Sequence, residues 1–467
     1  MAPKMTTVVE TATGRPRPAA PIPPKDWPGL WWSLRHIRDL GNPIALWPEE
    51  SYHAGIIVRR FRGRTAVVVN QPEAVRHVLV TNSSNYRKSR DAVALLAPVI
   101  GNGLLTSDGE DWRRQRYTAL PAFHRKSILG LVPLMSHATA ETLARWGAMG
   151  DGATVDVSRE MRRLTLTIFC RTMFSDDLGD EMDSIDAIFT RWLQSLDSRA
   201  LITNAARRIM GLPAGWAVAL AALVVQSKVR SLDGHADGFV ARRRARGRLS
   251  DDLLSLLIRA QQAEEGGDLR DQIAAFLLAG HETTAKALTW TCYLLDLHPW
   301  CEERLCAEVD SVLAGQAPTA DDISRLTYTR MVIDESLRLY PPAQIMNREA
   351  VDDDEIGGTA IPKAANVFVS PWLIHRNRTL WRDADYFDPE RFAPGASAGR
   401  HGFAYLPFGA GPRRCIGSGF ATTEAVIILA MVVQRFRLRL KRGHRVEPLV
   451  RISLRPRYGM PMRLERR

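Results

Sequence analysis

The residue of this chain with the clearest chemical potential is Cys415, which follows two arginines in a glycine-rich loop. An apolar helical pattern begins shortly after it. Cationic neighbours, free backbone N–H groups and a helix N-terminus all favour a thiolate. A single axial thiolate is a strong ligand for a metal and suits haem iron. The alternative is a buried free cysteine without chemistry, which describes most single cysteines.

A second set of polar residues interrupts an apolar helical pattern that runs from Leu269 to Leu297. A helix of this length is about 40 Å long and crosses a whole domain. Gly280 lowers its stability, and Thr283 can hydrogen-bond to the preceding turn and bend it. Glu282 and Thr283 could then hold water and relay protons. A small-residue contact where two helices cross explains the pattern equally well.

Two further motifs place charged side chains on one face of a helix. Glu335 and Arg338 are three residues apart and can pair, with Arg391 as a third member of a buried cluster. Trp112 and Arg116 are four residues apart, and both present N–H donors suited to a carboxylate. The alternatives are an exposed ion pair of little energetic value in the first motif and plain surface charge in the second.

The loop around Cys415 resembles the haem-binding loop of the cytochrome P-450 family, haem-thiolate monooxygenases whose pattern is Phe-x-x-Gly-x-Arg-x-Cys-x-Gly. The pattern is filled without departure by Phe408, Gly411, Arg413, Cys415 and Gly417. The segment from Ala279 to Thr284 is similar to the family's oxygen-activation pattern, with His281 at the variable position. The Glu-x-x-Arg and Trp-x-x-x-Arg pairs also match family patterns.

This resemblance implies a mostly α (α+β) chain with the P-450 fold, in which a long central helix lies over the haem beside small β-sheets. Cys415 would ligate the iron of haem b, Thr283 would contact bound dioxygen, and Glu282 would serve a proton relay. Glu335, Arg338 and Arg391 would be structural. The residues implied in binding the cofactor, several of them through its propionates, are Trp112, Arg116, Ala279, Gly280, Arg348, Phe408, Arg413, Cys415 and Gly417.

The 467 residues show no internal repeat or long linker. We expect a Pro-rich N-terminal arm over residues 1–27 and a single domain over residues 28–467. Apolar runs at residues 56–58 and 66–69 flank Arg62-Gly63 and predict a hairpin, and a short helix should open at Gln71. A further strand is expected at Asn366–Val369.

Composition limits the classes of function that this chain can have. Five scattered cysteines without a C-x-x-C pair argue against structural zinc and disulfides, and they fit a reducing cytoplasm. The net charge of +12 is compatible with binding to a nucleic acid, an acidic protein or an anionic membrane. The sequence lacks the aromatic-rich basic stripe that would favour nucleic-acid binding. The apolar run at residues 216–225 is too short for a transmembrane anchor. We therefore expect a cytoplasmic, bacterial-like member of the family.

The family resemblance implies a monooxygenase that inserts one oxygen atom from O2 into an apolar small molecule, such as a fatty acid or terpenoid. Electrons from NAD(P)H would arrive through a ferredoxin or flavodoxin-type partner, because the chain has no room for its own flavin or iron–sulfur module. The basic residues expected to attract that partner are Arg113, Arg114, Arg125, Lys126 and Arg414. The alternatives are a peroxide-using or peroxide-rearranging haem-thiolate enzyme and a non-catalytic haem sensor or carrier.

Overall fold

Helices dominate the part of the chain that the computed structural model describes, namely residues 16–27, 42–61, 64–175, 185, 187–188, 236–245, 252–263 and 268–467. The α-helices with defined bounds are α1 (Pro72–Arg76), α2 (Arg90–Ile100), α3 (Gly109–Ala119), α4 (Arg125–Gly130), α5 (Val132–Ala148), α6 (Val157–Met173), α7 (Leu253–Gln262), α8 (Leu269–Leu297), α9 (Pro299–Leu313), α10 (Thr327–Leu339), α11 (Pro371–Ile374) and α12 (Ser418–Arg435). A mostly helical class was predicted from the sequence and is confirmed.

The strands of the described chain form small sheets at the margins of the helical core. They are β1 (Ile56–Phe61), β2 (Arg64–Val69), β3 (Tyr86–Lys88), β4 (Thr154–Asp156), β5 (Met346–Ala350), β6 (Asp354–Ile356), β7 (Thr359–Ile361), β8 (Asn366–Val369), β9 (Phe436–Leu440), β10 (Pro448–Val450), β11 (Leu454–Pro456) and β12 (Pro461–Arg466). The largest sheet has the order β1-β2-β8-β5-β3. Within it β2 and β8 are parallel, whereas the other neighbours are antiparallel.

The long helix α8 runs through the core and has the bounds that the sequence predicted. Asp268 caps its N-terminus by accepting hydrogen bonds from the backbone N–H groups of Arg270 and Asp271. The helix is apolar on nearly all sides, as a helix surrounded by others must be. It packs against α6, α10 and α12, and the Thr291 hydroxyl donates to Ser336 Oγ of α10 at 2.9 Å.

A charge cluster with a fully buried centre, Glu335 and Arg338, joins α10 to the segment that precedes the cysteine loop. Arg338 donates two hydrogen bonds of 2.6 Å to the carboxylate of Glu335. Its other N–H groups donate to backbone carbonyls of residues 375, 384 and 386. Arg391 Nε lies 3.4 Å from the Glu335 carboxylate, which also accepts from the backbone N–H of Asp388. The predicted triad is therefore present, and its charges satisfy one another inside the protein.

Other predicted elements have mixed outcomes. The strands of the hairpin, the helix that opens after Gln71 and the strand Asn366–Val369 are confirmed. Arg62-Gly63 and the apolar run at residues 216–225 lie outside the described residues. The division at residue 28 stays a prediction. Within the described part of the arm, the Ala19 N–H donates to Tyr293 of α8 at 3.2 Å. None of the helices described here has the length and apolar character needed to cross a membrane.

Candidate active site

The cysteine loop, residues 408–417, is a tight turn that places Cys415 just before α12. The N–H of Cys415 donates to the carbonyl of Phe408 at 2.9 Å and closes the loop. Gly409 and Gly411 both have a φ of 68°, which favours glycine. At Gly411 a Cβ atom would lie 1.8 Å from the Leu79 carbonyl oxygen. Side chains are therefore excluded where the loop meets the segment after α1.

Cys415 differs in exposure from the other cysteines. All five lie in the described part of the chain, and Cys170, Cys292, Cys301 and Cys306 are buried, whereas Cys415 is exposed. The residues described here contain no cluster of three or more His, Cys, Asp or Glu side chains that could hold a metal. The accessible sulfur fits an iron whose other ligands come from a porphyrin.

The surroundings of Cys415 do not favour a free thiolate, contrary to the expectation from the sequence. Burial of the sulfur by protein raises the pKa of Cys415, while the Gly417 N–H and the charges of Arg116 and Arg414 lower it less. The Cys415 side chain is thus exposed, although the surrounding protein desolvates its sulfur. The expectation of a thiolate was wrong for the free side chain, because it considered the nearby positive charges but not the desolvation of the sulfur. A coordinated metal ion removes this proton outright.

Three residues in the middle of α8 are accessible, although their neighbours on the helix are buried. Ala279, Gly280 and Thr283 keep partial exposure. Their spacing places them on one side of the helix, here called the accessible α8 face. The Thr283 hydroxyl donates to the carbonyl of Ala279 at 2.9 Å, as the sequence predicted. The helix nevertheless stays continuous here, so the expected opening is not a break in the helix.

Gly280 also lies at a helix crossing. A Cβ atom at Gly280 would lie 2.3 Å from the ring of Phe169 on α6. One turn earlier on α6, the Thr165 hydroxyl donates to the carbonyl of His281 at 3.0 Å. The helix-crossing explanation therefore accounts for Gly280, while the partial exposure of Thr283 leaves its hydroxyl available to a ligand.

Aromatic rings connect the cysteine loop to α8. Phe123 lies against Gly417 of the loop, where a Cβ atom would be 3.6 Å from its ring. The same ring stacks on Phe276 of α8 with a centroid distance of 6.0 Å. The ring centroids of Phe420 on α12 and Phe169 on α6 are 6.2 Å apart, and Phe169 is the ring that packs against Gly280. The accessible sulfur and the accessible α8 face are thus held together by a common apolar framework.

Glu282 lies on the buried side of α8 in an ion pair. Its carboxylate is 3.2 Å from Lys286 Nζ, and both side chains are almost fully buried. Burial acts to raise the pKa of Glu282, but the charges of Lys286, His281 and Arg162 outweigh it, so the pKa is lowered. The i,i+4 spacing of this pair is visible in the sequence, yet Lys286 was not predicted as a functional residue. Glu282 therefore stays ionised in the folded protein.

The predicted cationic residues converge beside the loop. The guanidinium of Arg413 lies 4.3 Å from the ring centroid of Trp112, and that of Arg116 lies 5.8 Å from it. Arg413 also donates to the carbonyl of Ser107 at 3.2 Å and pairs with Asp108. Arg116 is close enough to Cys415 for their charges to interact. These side chains form a positive rim around the cysteine.

Lys88 is a member of this rim that reasoning from the sequence missed. It pairs in register with Arg348 across β3 and β5. Burial, with the charges of Arg348 and Arg413, lowers the pKa of Lys88 to about 7. Burial likewise lowers the pKa of Arg348 to about 10, with Arg413 adding to the effect. The pairing depends on two strands that are far apart in the chain, so no local signal in the sequence reveals it.

The rim carries more positive charge than its own carboxylate can neutralise. Asp108 is the acidic group that acts on both Lys88 and Arg348. Buried cations without enough counter-charge are costly unless a ligand brings anions. Two propionate carboxylates would supply such charge, and Arg fork geometry suits them. The sulfur, the accessible α8 face and the cationic rim therefore fit a haem with its propionates.

The sequence profile of the family described as Cytochrome P450 matches residues 28–459. This chain belongs to the cytochrome P450 family. It is 36% identical to cyclooctatin synthase of Streptomyces melanosporofaciens over 86% of this chain and 87% of that one. Cyclooctat-9-en-7-ol 5-monooxygenase of the same organism is 32% identical, again over 86% and 87% of the two chains. A crystal structure of the cytochrome P450DA heme domain matches with a TM-score of 0.78 and 27% identity, covering 97% of this chain and 98% of that one.

The predicted P450 fold and family are thereby confirmed, and the protein is an oxidoreductase of the P450 monooxygenase class. The roles of the individual site residues stay predictions.

Two arginines expected to face a redox partner are engaged in exposed ion pairs within α3. Arg113 pairs with Glu110, and Arg114 pairs with Asp111. Their positive charge is therefore largely neutralised locally.

Proposed function

We propose that this P450 inserts one oxygen atom from O2 into an apolar cyclic substrate, with electrons from a separate acidic protein. The observation that carries the proposal is the accessible sulfur of Cys415 beside a cationic rim and the accessible α8 face. Cys415 would hold the iron, and Arg116, Arg348, Arg413, with Lys88 and Trp112, would hold the propionates. When bound, the haem supplies the iron at which dioxygen is activated.

The residues of this chain contribute orientation and exclusion of water. The Thr283 hydroxyl is accessible, and its bond to the Ala279 carbonyl fixes its direction. Since this bond uses its one proton, the hydroxyl oxygen can accept a hydrogen bond from a small ligand on the accessible α8 face. The aromatic packing of Phe123, Phe276 and Phe169 limits water behind that face. A dry site strengthens each of these polar contacts.

An apolar substrate is supported by the residues with accessible surface near the loop. Ala279 of α8 is partly exposed, as are Ile345 and Met346, and Met346 lies against Gly409 of the cysteine loop. Phe276 and Leu277, earlier on α8, are buried. One relative is named a monooxygenase of cyclooctat-9-en-7-ol, by its name a cyclic alkenol. We therefore favour a cyclic, mostly hydrocarbon substrate over a linear fatty acid.

Turnover with a surrogate ferredoxin and reductase tests this function against its alternatives. Haem-loaded protein, given NAD(P)H and labelled O2 with a panel of cyclic alkenols and fatty acids, should shift its spin state with at least one cyclic compound. It should then release a product that carries one labelled oxygen. Product formed from added peroxide alone would favour a peroxide-using enzyme. A compound that shifts the spin state but gives no product, either with NAD(P)H and O2 or with peroxide, would favour a haem sensor or carrier.

The electron donor is proposed to be an acidic ferredoxin or flavodoxin-type protein that docks at α4 and the cysteine loop. Arg125, Lys126 and Arg414 are exposed and have no acidic partner among the residues described. Unlike Arg113 and Arg114, they present uncompensated positive charge. Long-range attraction between such charges and an acidic surface raises the association rate and weakens with salt.

Charge reversal at α4 is expected to slow electron transfer. R125E/K126E should lower the second-order reduction rate by about tenfold at low ionic strength, since two attractions become repulsions. The difference should shrink as salt is added. The control K441E/R442E changes the net charge equally, at exposed residues beyond β9. Stopped-flow reduction measures both, and equal rates for the two variants would exclude docking at α4.

A further inference from the structure

The described part of the N-terminal arm crosses two buried tyrosines of the helical core at residues 16–19, here called the strap. The backbone N–H of Ala19 donates to the Tyr293 hydroxyl at 3.2 Å, and the Tyr340 hydroxyl donates to the Ala19 carbonyl at 2.7 Å. Pro18 is buried, as are both tyrosines. Both backbone groups of Ala19 are thus held, one by α8 and the other by the residue that follows α10.

An ion pair attaches the strap to the core at a further point. The guanidinium of Arg17 lies 3.0 Å from the Asp385 carboxylate. Asp385 belongs to the segment whose carbonyls at residues 384 and 386 accept hydrogen bonds from the buried Arg338. The strap is therefore attached to α8, to the end of α10 and to the segment that precedes the cysteine loop.

The residues that follow Tyr340, here called the 341–346 segment, present surface beside the cysteine loop. Met346 lies against Gly409 of that loop. The exposed or partly exposed members of the segment are Ala343, Ile345 and Met346. The segment begins with two prolines, which have no N–H group to donate, and it continues as irregular backbone until β5. Its position therefore depends on its carbonyls, its side chains and the residue before it.

Stacking and hydrogen bonds join Tyr340 to the 341–346 segment by way of α8. The Trp290 ring of α8 stacks on Tyr340 with a centroid distance of 4.1 Å. Trp290 Nε1 donates to the Leu454 carbonyl at 3.2 Å, and the Leu454 N–H donates to the Pro342 carbonyl at 3.0 Å. Tyr340 is therefore held between the strap on one side and the residues that hold Pro342 on the other.

We propose that the strap positions one side of the substrate site, with Tyr340 as a positioning residue that acts on the 341–346 segment. This inference rests on the proposed monooxygenase function, because it assigns that segment to the substrate site. Surrounding contacts are what keep the residues of a binding site within about 0.5 Å of their working positions. A loosened strap should therefore weaken the binding of ligands that touch the segment and spare ligands too small to reach it.

Amide hydrogen exchange of the haem-loaded protein tests the coupling between the strap and the 341–346 segment. Tyr293→Phe removes the acceptor of the Ala19 N–H and leaves Tyr340 intact. It should raise exchange about two- to tenfold, the range of one hydrogen bond, both at residues 17–20 and at residues 343–346. Faster exchange at residues 17–20 alone would overturn the proposal. Arg17→Ala, which removes the ion pair at the surface, serves if Y293F does not fold.

A matched control is available at Tyr405. Its hydroxyl also donates to a backbone carbonyl, that of Asp334, at 2.8 Å. Tyr405→Phe therefore makes the same chemical change away from the strap, and it should leave exchange at residues 17–20 and 343–346 as in wild type. Faster exchange of both segments in Y405F would show a general loss of stability and would overturn the specific coupling.

Ligand binding is the second readout, and a strap with a purely structural role would not change it selectively. Imidazole and 4-phenylimidazole both bind haem iron through a ring nitrogen, but only the second carries a bulky apolar group. Tyr340→Phe keeps the stack on Trp290 and loses the donor to Ala19. Absorption titration should show 4-phenylimidazole binding weakened about two- to tenfold and imidazole binding unchanged. Equal changes for the two ligands, or none, would overturn the positioning role.

Failure of the proposed function has a different signature from failure of this inference. Wild type would then give no product with any substrate and electron donor, while the coupled exchange in Y293F and the selective effect in Y340F would persist. If the strap has no positioning role, wild type still turns over, and the exchange at residues 343–346 does not respond to changes in the strap.

Discussion

Replacement of Glu335 by alanine is expected to lower the free energy of unfolding by about 3–5 kcal/mol. The change leaves the fully buried guanidinium of Arg338 without its two 2.6 Å bonds and removes the counter-charge of Arg391. The backbone N–H of Asp388 also loses its acceptor. Urea unfolding followed by far-UV circular dichroism measures the effect.

Glu110 of α3 provides a matched control for this prediction. It pairs with Arg113 at the same i,i+3 spacing, but the two side chains are 78% and 61% exposed. Water and salt screen such a pair, so E110A should change the free energy of unfolding by less than about 1 kcal/mol. Glu335→Gln should fall between the two variants, because it keeps hydrogen-bonding atoms and loses the charge. Equal effects of E335A and E110A would contradict a structural role for the buried cluster.

The parts of the fold that could be predicted are those with local signals. The bounds of α8 follow from the N-cap Asp268 and from the His298-Pro299 sequence at its end. The Glu335–Arg338 pair follows from its spacing on one helix face. The cysteine loop follows from its glycines, of which Gly411 has a steric reason in the Leu79 carbonyl. In each case the determining residues are close together in the chain.

What could not be predicted depends on contacts between distant segments. Lys88 joins the cationic rim because β3 pairs with β5, and the sequence gives no register for that pairing. The protonation of Cys415 was misjudged for a similar reason, since desolvation is a property of the folded surroundings. The pairs of Arg113 and Arg114 have local spacing and were open to prediction.

Replacement of Cys415 by serine is expected to have the largest effect on function. Serine keeps nearly the same size and the backbone hydrogen bond to Phe408, but its hydroxyl is a poor ligand for haem iron. We expect loss of the thiolate ligand and a fall in turnover by at least about a thousandfold, equivalent to about 4 kcal/mol of transition-state stabilisation. Cys306→Ala, at a buried cysteine of α9, is the control and should keep both the thiolate ligand and the turnover of wild type.

The reduced carbon-monoxide difference spectrum of these three proteins is the most direct test of the role assigned to Cys415. Wild type and C306A should both give the absorption band of a thiolate-ligated haem, and C415S should lack that band even where it retains pigment. If C415S gives the same band and the same turnover as wild type, the sulfur of Cys415 does not hold the iron.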